Sequence, residues 1–317
     1  MQQAVLSGPR TFRLDAAATP SPGPGEVLVK VRMSGVCSSE LGAWRDGEGA
    51  PRLLGHEVAG TVAAVGAGVA GLVPGDPVTG LFHKGFADYA VAPQDRVAAI
   101  PPGIAIEHAF GEPIACAMSG ARRTPVDLGD RVAVVGLGFM GLLMLQLLRL
   151  KGPAHILGID MRDDALAAGR GLGADATARP GDLAADLKAV FPFAADDPRG
   201  FDMVVEATGT QAGLTLAVEL VRFHGVLSIL GYHQGGPRQV DMQLMNFKAC
   251  DVVNAHERRA GYRMDCMRRG LALAAAGRLQ LAPLATHGFP LDRLGDAFAV
   301  LQDKPAGFIK SAVLLPG

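Results

Sequence analysis

The chain has 317 residues, 49% hydrophobic and 19% charged, which is ample material for a large core and excludes a disordered polymer. A formal net charge of −1 removes any electrostatic case for nucleic acid or an anionic membrane as partner. Four cysteines, at 37, 116, 250 and 266, form no close pairs, so a disulfide framework is excluded and a reducing, cytoplasmic setting is expected.

Residues 1–110 carry short β-like runs separated by Gly and Pro. "MQQAVLSGPRTFRLD" reads as a strand pair and not as a charged-then-apolar leader. "EVLVKVRMSG", "EVAGTVAAVGAG", "DPVTGLF" and "FADYAVAP" follow, a pattern that predicts a barrel or sandwich-like β unit. "GEPIACAMSG", 111–120, looks like plain packing. From there to 255 the texture changes: "RVAVVGLG", "MGLLMLQLLRLKG", "HILGID", "RDDALAAGRGLG", "FDMVVEAT", "QAGLTLAVELVRFHG" and "VLSILGY" alternate strand-like with helix-length segments. Continuous apolar strands in that alternation predict a parallel sheet covered on both faces. "RQVDMQLMNFKACDVVNA" reads as strand, short helix, strand. The remainder holds helical segments near "MDCMRRGLALAAAG" and "LDRLGDAFAVLQ" and a last strand in "GFIKSAVLL". Two domains are expected, 1–119 plus 256–317 and, between them, 120–255.

The most apolar run, 132–148, is long enough to raise the question of a membrane span. Three glycines near its start and Gln146 inside it favour strand, turn and helix, with no membrane partner. Gly136, Gly138 and Gly141 stand in G-x-G-x-x-G spacing, with Phe139 and Met140 between them, after an apolar strand and at the head of an apolar helix. In that context the glycines let the backbone turn tightly and approach a pyrophosphate at the helix N-terminus. Asp160 ends the next strand, where a carboxylate accepts hydrogen bonds from a ribose diol and repels a 2′-phosphate. NAD is therefore expected over NADP, a preference that Arg162, two residues on, softens.

A second constellation is spread along the first third. "SGVCSSEL" carries Cys37, "LLGHEVAG" carries His56 with Glu57 beside it, and Cys116 follows. Each alone is more often a packed residue. Together they offer two thiolates and an imidazole, and three protein ligands with an open position describe a catalytic zinc.

"GEVLVKVRMSGVCSSEL", "LLGHEVAGTVAAVGAGV", "VPGDPVTG", "GFADYAVAP", "EPIACAMSG", "VAVVGLGFMG", "GLGAD", "VVEATG" and "GFIKSAVLLP" are spread over essentially the whole chain. In these blocks the sequence resembles the zinc-containing medium-chain dehydrogenase/reductase family, which includes alcohol, polyol and threonine dehydrogenases, and within it the polyol dehydrogenase-like branch. The resemblance implies an α/β chain with a GroES-like β-rich catalytic domain and a Rossmann doubly wound parallel-sheet domain. It implies zinc-dependent hydride transfer between a secondary alcohol and NAD.

By the same resemblance Cys37 and His56 match zinc ligands, and Cys116 falls where alcohol dehydrogenases keep a third. Glu112 falls where polyol dehydrogenases begin this segment with a glutamate that approaches the zinc or its water, and Glu57 can also swing to the metal. The third position stays open among Cys116, Glu112 and Glu57. Ser39 matches a hydroxyl that takes the substrate proton, and Glu40 an acid that orients a ligating histidine. Trp44 stands where polyol dehydrogenases carry an aromatic pocket residue. His83, and His256 with Glu257, are the further substrate candidates.

Two departures bear on these expectations. No four-cysteine cluster exists for a structural zinc, so one zinc per subunit is expected. Gly42 stands where relatives often end a proton relay with histidine. A homodimer or homotetramer is implied. Two alternatives remain: a related reductase of C=C or C=N bonds, and a non-enzymatic nucleotide-binding scaffold.

Overall fold

The strand pair expected at the start is present: Gln2–Gly8 pairs antiparallel with Thr11–Ala16, and Arg52–Leu53 adds a short third strand. In this computed structural model residues 1–183 and 199–316 are described. The chain divides into two compact units, Met1–Cys116 with Arg258–Gly317 and, between them in sequence, Ala117–Glu257.

The first unit is built on a seven-stranded sheet. Its order is His287–Phe289, Ser311–Leu314, Glu26–Gly35, Glu57–Val65, Pro77–Gly80, Val97–Ala99, with Tyr89–Pro93 also paired to Glu26–Gly35. The last strand of the chain thus pairs with one of the first, Ala312 opposite Gly35. Inward side chains of the long strands, Val27, Val29, Val31, Val58 and Val62, bury against Trp44, Phe86 and the helix residues Leu294, Phe298 and Leu301. This is a GroES-like β-rich unit, closed by helix Leu294–Asp303.

The second unit is a six-stranded, wholly parallel sheet in the order Ala176–Ala178, His155–Ile159, Arg131–Val135, Phe201–Glu206, Val221–Ile229, Asp251–Asn254. Numbered along the unit this is 3-2-1-4-5-6, the doubly wound Rossmann order, whose reversal point lies between the first and fourth strands. The apolar run 132–148 resolves into strand Arg131–Val135 and helix Phe139–Arg149. Among the described residues no helix is long and apolar enough to cross a membrane.

Two segments depart from the sequence reading. Helix Gln211–Leu220 ends where strand Val221–Ile229 begins, so "VRFHG" is strand and not helix. β-branched and aromatic residues favour that outcome, and His224 at φ 54° lies within an irregular stretch of the pairing with Phe201–Glu206. The strand expected before Met242 is absent. The Gln239 N–H donates to the Gln211 side chain and not to a sheet neighbour.

Candidate active site

Strands Glu26–Gly35 and Glu57–Val65 run antiparallel with Gly35 opposite Glu57. Cys37 lies two residues past the end of one strand and His56 one residue before the start of the other. The pairing therefore brings both to the same end of the sheet with Glu57 beneath them. One ligand atom from each of Cys37, His56 and Glu57 lies within 4.8 Å of the others. Gly35 makes room for this: a Cβ there would stand 2.0 Å from Glu57 Oε2.

Around the cluster each group is oriented by a neighbour. Glu40 Oε1 accepts the Gly55 N–H at 2.7 Å and lies 3.2 Å from His56 Nδ1. That contact fixes the ring and turns Nε2 away from Glu40. Ser39 Oγ donates to Cys37 Sγ at 3.2 Å. Glu57, 1% exposed, faces Lys310, 5% exposed, whose Nζ is 2.8 Å from Oε1 and 2.7 Å from Oε2. Burial opposes the ammonium charge, but the Glu57 and Cys37 charges outweigh it and raise the Lys310 pKa. Burial likewise opposes charge on His56, and hydrogen bonds to Cys37 and Glu40 outweigh it, raising its pKa to about 12. A divalent ion and a proton compete for such a ring.

Helix Gly111–Arg123 carries Glu112 and Cys116 one turn apart on one face. Neither belongs to the three-residue group. Cys116 Sγ lies 3.4 Å from Glu112 Oε1 and 3.6 Å from Arg263 Nη2, and Arg263 is also ion-paired with Glu112. Burial, reinforced by the Glu112 charge, pushes the Cys116 thiol well up, and Arg263 opposes this only in part. In this setting the thiol is partnered by Glu112 and Arg263.

The donor set of Cys37, His56 and Glu57 fits zinc: one soft sulfur, one imidazole already oriented through its other nitrogen, and one carboxylate.

In the second unit the three glycines have three distinct roles. Gly136 has φ +97°, and a Cβ there would meet Thr208 Cγ2 at 2.7 Å. A Cβ on Gly141 would stand 1.8 Å from the Gly136 carbonyl oxygen, so the helix closes directly onto the turn. A Cβ on Gly138 would meet nothing within 4 Å; that open side, at the N-cap of helix Phe139–Arg149, is the cradle a pyrophosphate requires. Phe139 and Met140 are the first residues of that helix. Asp160 Oδ2 accepts the Leu137 N–H at 2.8 Å, and Arg162 lies alongside, its Nε 3.7 Å from Asp160 and its Nη1 3.4 Å from Asp164.

The substrate candidates divide between the two units. Trp44, 3% exposed, stacks on Phe298 at 5.5 Å inside the core of the first unit, so its ring is committed to packing. His83 is exposed beside a turn. His256 packs against Tyr232 with ring centroids 5.8 Å apart, and Glu257 lies 3.8 Å from Arg123. Sequence reading missed Lys310 and Arg263, the cations that face Glu57 and Glu112. It also missed Glu206, fully buried and bonded to His233, although an acid closing the apolar run "FDMVVE" was a signal.

The sequence family described as alcohol dehydrogenase GroES-like domain matches residues 23–102, and that described as zinc-binding dehydrogenase matches 140–269. The chain is 29% identical to sorbitol dehydrogenase of Gallus gallus over 90% of this chain and 89% of that one. It is 28% identical to L-threonine 3-dehydrogenase of Pyrococcus abyssi over 91% of each. It is also similar in structure to a zinc-binding dehydrogenase of Sinorhizobium meliloti bound to NADP, with TM-score 0.86, 25% identity and 99% of each chain covered. With both unit types matched and relatives aligned along nearly the whole length, the chain belongs to the zinc-containing medium-chain dehydrogenase/reductase family and is an oxidoreductase.

Proposed function

We propose that the enzyme oxidises a secondary hydroxyl of a small polyhydroxylated substrate (a polyol, sugar or cyclitol), reversibly, with NAD as hydride acceptor. The observation that carries this is the sulfur–imidazole–carboxylate group of Cys37, His56 and Glu57. These three residues would hold one zinc ion per subunit. Bound zinc supplies Lewis acidity that makes a substrate hydroxyl easier to deprotonate, and NAD supplies the place for the hydride.

The remaining chemistry belongs to side chains. Ser39 Oγ, exposed and donating to Cys37 Sγ, accepts the substrate proton and passes it toward solvent. Glu40 keeps His56 in one tautomer. Lys310 neutralises Glu57 where no water reaches it. Glu112 and Arg263 offer a charged pair that hydrogen-bonds hydroxyls and penalises a purely apolar alcohol. Similarity to sorbitol dehydrogenases supports the polyol class. Asp160 supports NAD over NADP.

The assembly we propose is a two-fold homodimer joined along Asp251–Asn254, the outer strand of the parallel sheet, with a homotetramer as its higher form. Val252, Phe247 and Met242 are exposed beside that edge. Four free cysteines support a cytoplasmic setting.

The test is zinc content by mass spectrometry for wild type, Glu57→Ala and Cys116→Ala, with NAD-dependent turnover over a panel of polyols, cyclitols and simple alcohols. One zinc in wild type and in Cys116→Ala, lost in Glu57→Ala, with polyols preferred, is expected. Loss of zinc in Cys116→Ala would return that thiol to the metal. A wide preference for simple primary alcohols would sink the polyol reading.

A further inference from the structure

Glu206 closes strand Phe201–Glu206 and is 0% exposed. A buried carboxylate must be fully partnered. Oε1 accepts the N–H groups of Thr208 at 2.7 Å and Gly209 at 3.0 Å and the Thr208 hydroxyl at 2.5 Å. Oε2 lies 2.8 Å from His233 Nε2. On the other side of the ring, Arg238 Nε donates to His233 Nδ1 at 3.2 Å. A guanidinium only donates, so Nδ1 is the acceptor and the ring proton sits on Nε2, pointing at Glu206. Arg238 Nη2 also donates to the carbonyls of Gly209 at 3.2 Å and Gln234 at 2.8 Å. The chain of bonds Arg238–His233–Glu206 therefore ties together the loops that follow two neighbouring parallel strands.

The tied loop bears on the glycine turn. Thr208 Cγ2 occupies the space beside Gly136, and Ala207 Cβ would be 3.4 Å from a Cβ on Gly141. Gly231 is equally constrained: a Cβ there would meet Gly209 N at 2.3 Å and Glu206 Oε2 at 2.4 Å. The strand order adds a direction. Asp160 follows the strand on one side of Arg131–Val135, whereas Glu206 ends one of the two strands on the other side and His233 follows the second. A dinucleotide lies across that reversal point, with the adenosine ribose at the acid and the nicotinamide half on the opposite side.

We propose that His233 and Arg238 are positioning residues for the nicotinamide half of the cofactor, acting through Glu206 on the turn 207–209. The inference rests on the dinucleotide reading of the glycine turn and adds to it two residues outside the motif. Neither is assigned contact with the reacting atoms.

The experiment is calorimetric titration of the zinc-loaded full chain with NADH and, separately, with AMP, which probes the adenosine half alone. The proteins are wild type, His233→Ala, His233→Gln and Arg238→Ala. His233→Ala and Arg238→Ala should each weaken NADH about tenfold, the scale of one lost charge-assisted hydrogen bond, and leave AMP within about twofold. Glutamine can both donate to Glu206 and accept from Arg238, so His233→Gln should restore most of the NADH affinity. Equal loss of NADH and AMP in both alanine variants, or NADH affinity unchanged in both, overturns the proposal. Wild-type protein that binds neither ligand overturns the dinucleotide reading itself, and the proposal with it.

Discussion

Glu57 and Lys310 are 253 positions apart and within hydrogen-bond distance, both without access to water. Lys310→Met leaves a buried carboxylate uncompensated, which costs about 3–5 kcal/mol. A zinc ion at the same carboxylate replaces the missing charge, so zinc should raise the melting temperature of the variant more than that of wild type. Calorimetry with and without zinc measures this; an equal rise in both would mean that Lys310 is not the counter-charge. Ser39→Ala removes the proposed proton acceptor and should lower kcat about 100-fold with zinc content and NAD binding unchanged. A wild-type kcat would take Ser39 out of the proton's route. Asp160→Ala removes the charge that a 2′-phosphate would meet. The ratio of kcat/KM for NAD to that for NADP should fall about tenfold or more; an unchanged ratio would assign the preference elsewhere.

At the scale of elements, Asp202 clasps three adjacent strands. It accepts the Arg131 N–H at 2.7 Å and Arg222 Nε at 2.6 Å, joining the starts of Arg131–Val135 and Val221–Ile229 to Phe201–Glu206. Burial pushes its carboxyl up, but these donors outweigh burial and its pKa is lowered. The unfolded chain therefore binds the proton more readily. The stabilisation is complete above the unfolded value of about 3.9 and disappears as pH falls through the lower folded value. Asp202→Asn should cost about 1 kcal/mol at neutral pH, with the difference shrinking in strong acid. A difference independent of pH would point to lost geometry and not to charge.

The same elements show what was legible in the sequence. The glycine turn was, because Gly136 and Gly141 answer to separate steric demands and Gly138 leaves the open side, and fixed spacing records all three. The strand expected before Met242 was not: composition there suits a strand, but Gln211 captures the backbone N–H of Gln239. Cys37 and His56 were legible only jointly, since register and not spacing brings them together. For the same reason Lys310 facing Glu57, and Arg263 facing Glu112 across 151 positions, had no local signature. Cys116 has the chemistry of a ligand, and its contacts with Glu112 and Arg263 were invisible until the helix was in place.

For the whole molecule, the outer strand Asp251–Asn254 and the exposed Phe247 and Val252 make association the expected state. Light scattering should give at least twice the chain mass for wild type, and Val252→Lys combined with Phe247→Asp should reduce it to one chain. A monomeric wild type would leave that edge without its proposed mate. One further consequence follows from the pairing of Ser311–Leu314 with Glu26–Gly35. During translation every strand of the dinucleotide-binding unit leaves the ribosome before Lys310 does, so that unit can fold while the metal-bearing unit still lacks a strand and Glu57 its cation. Synthesis itself then orders assembly: the dinucleotide-binding unit is available for nucleotide before the closing strand brings Lys310 to Glu57.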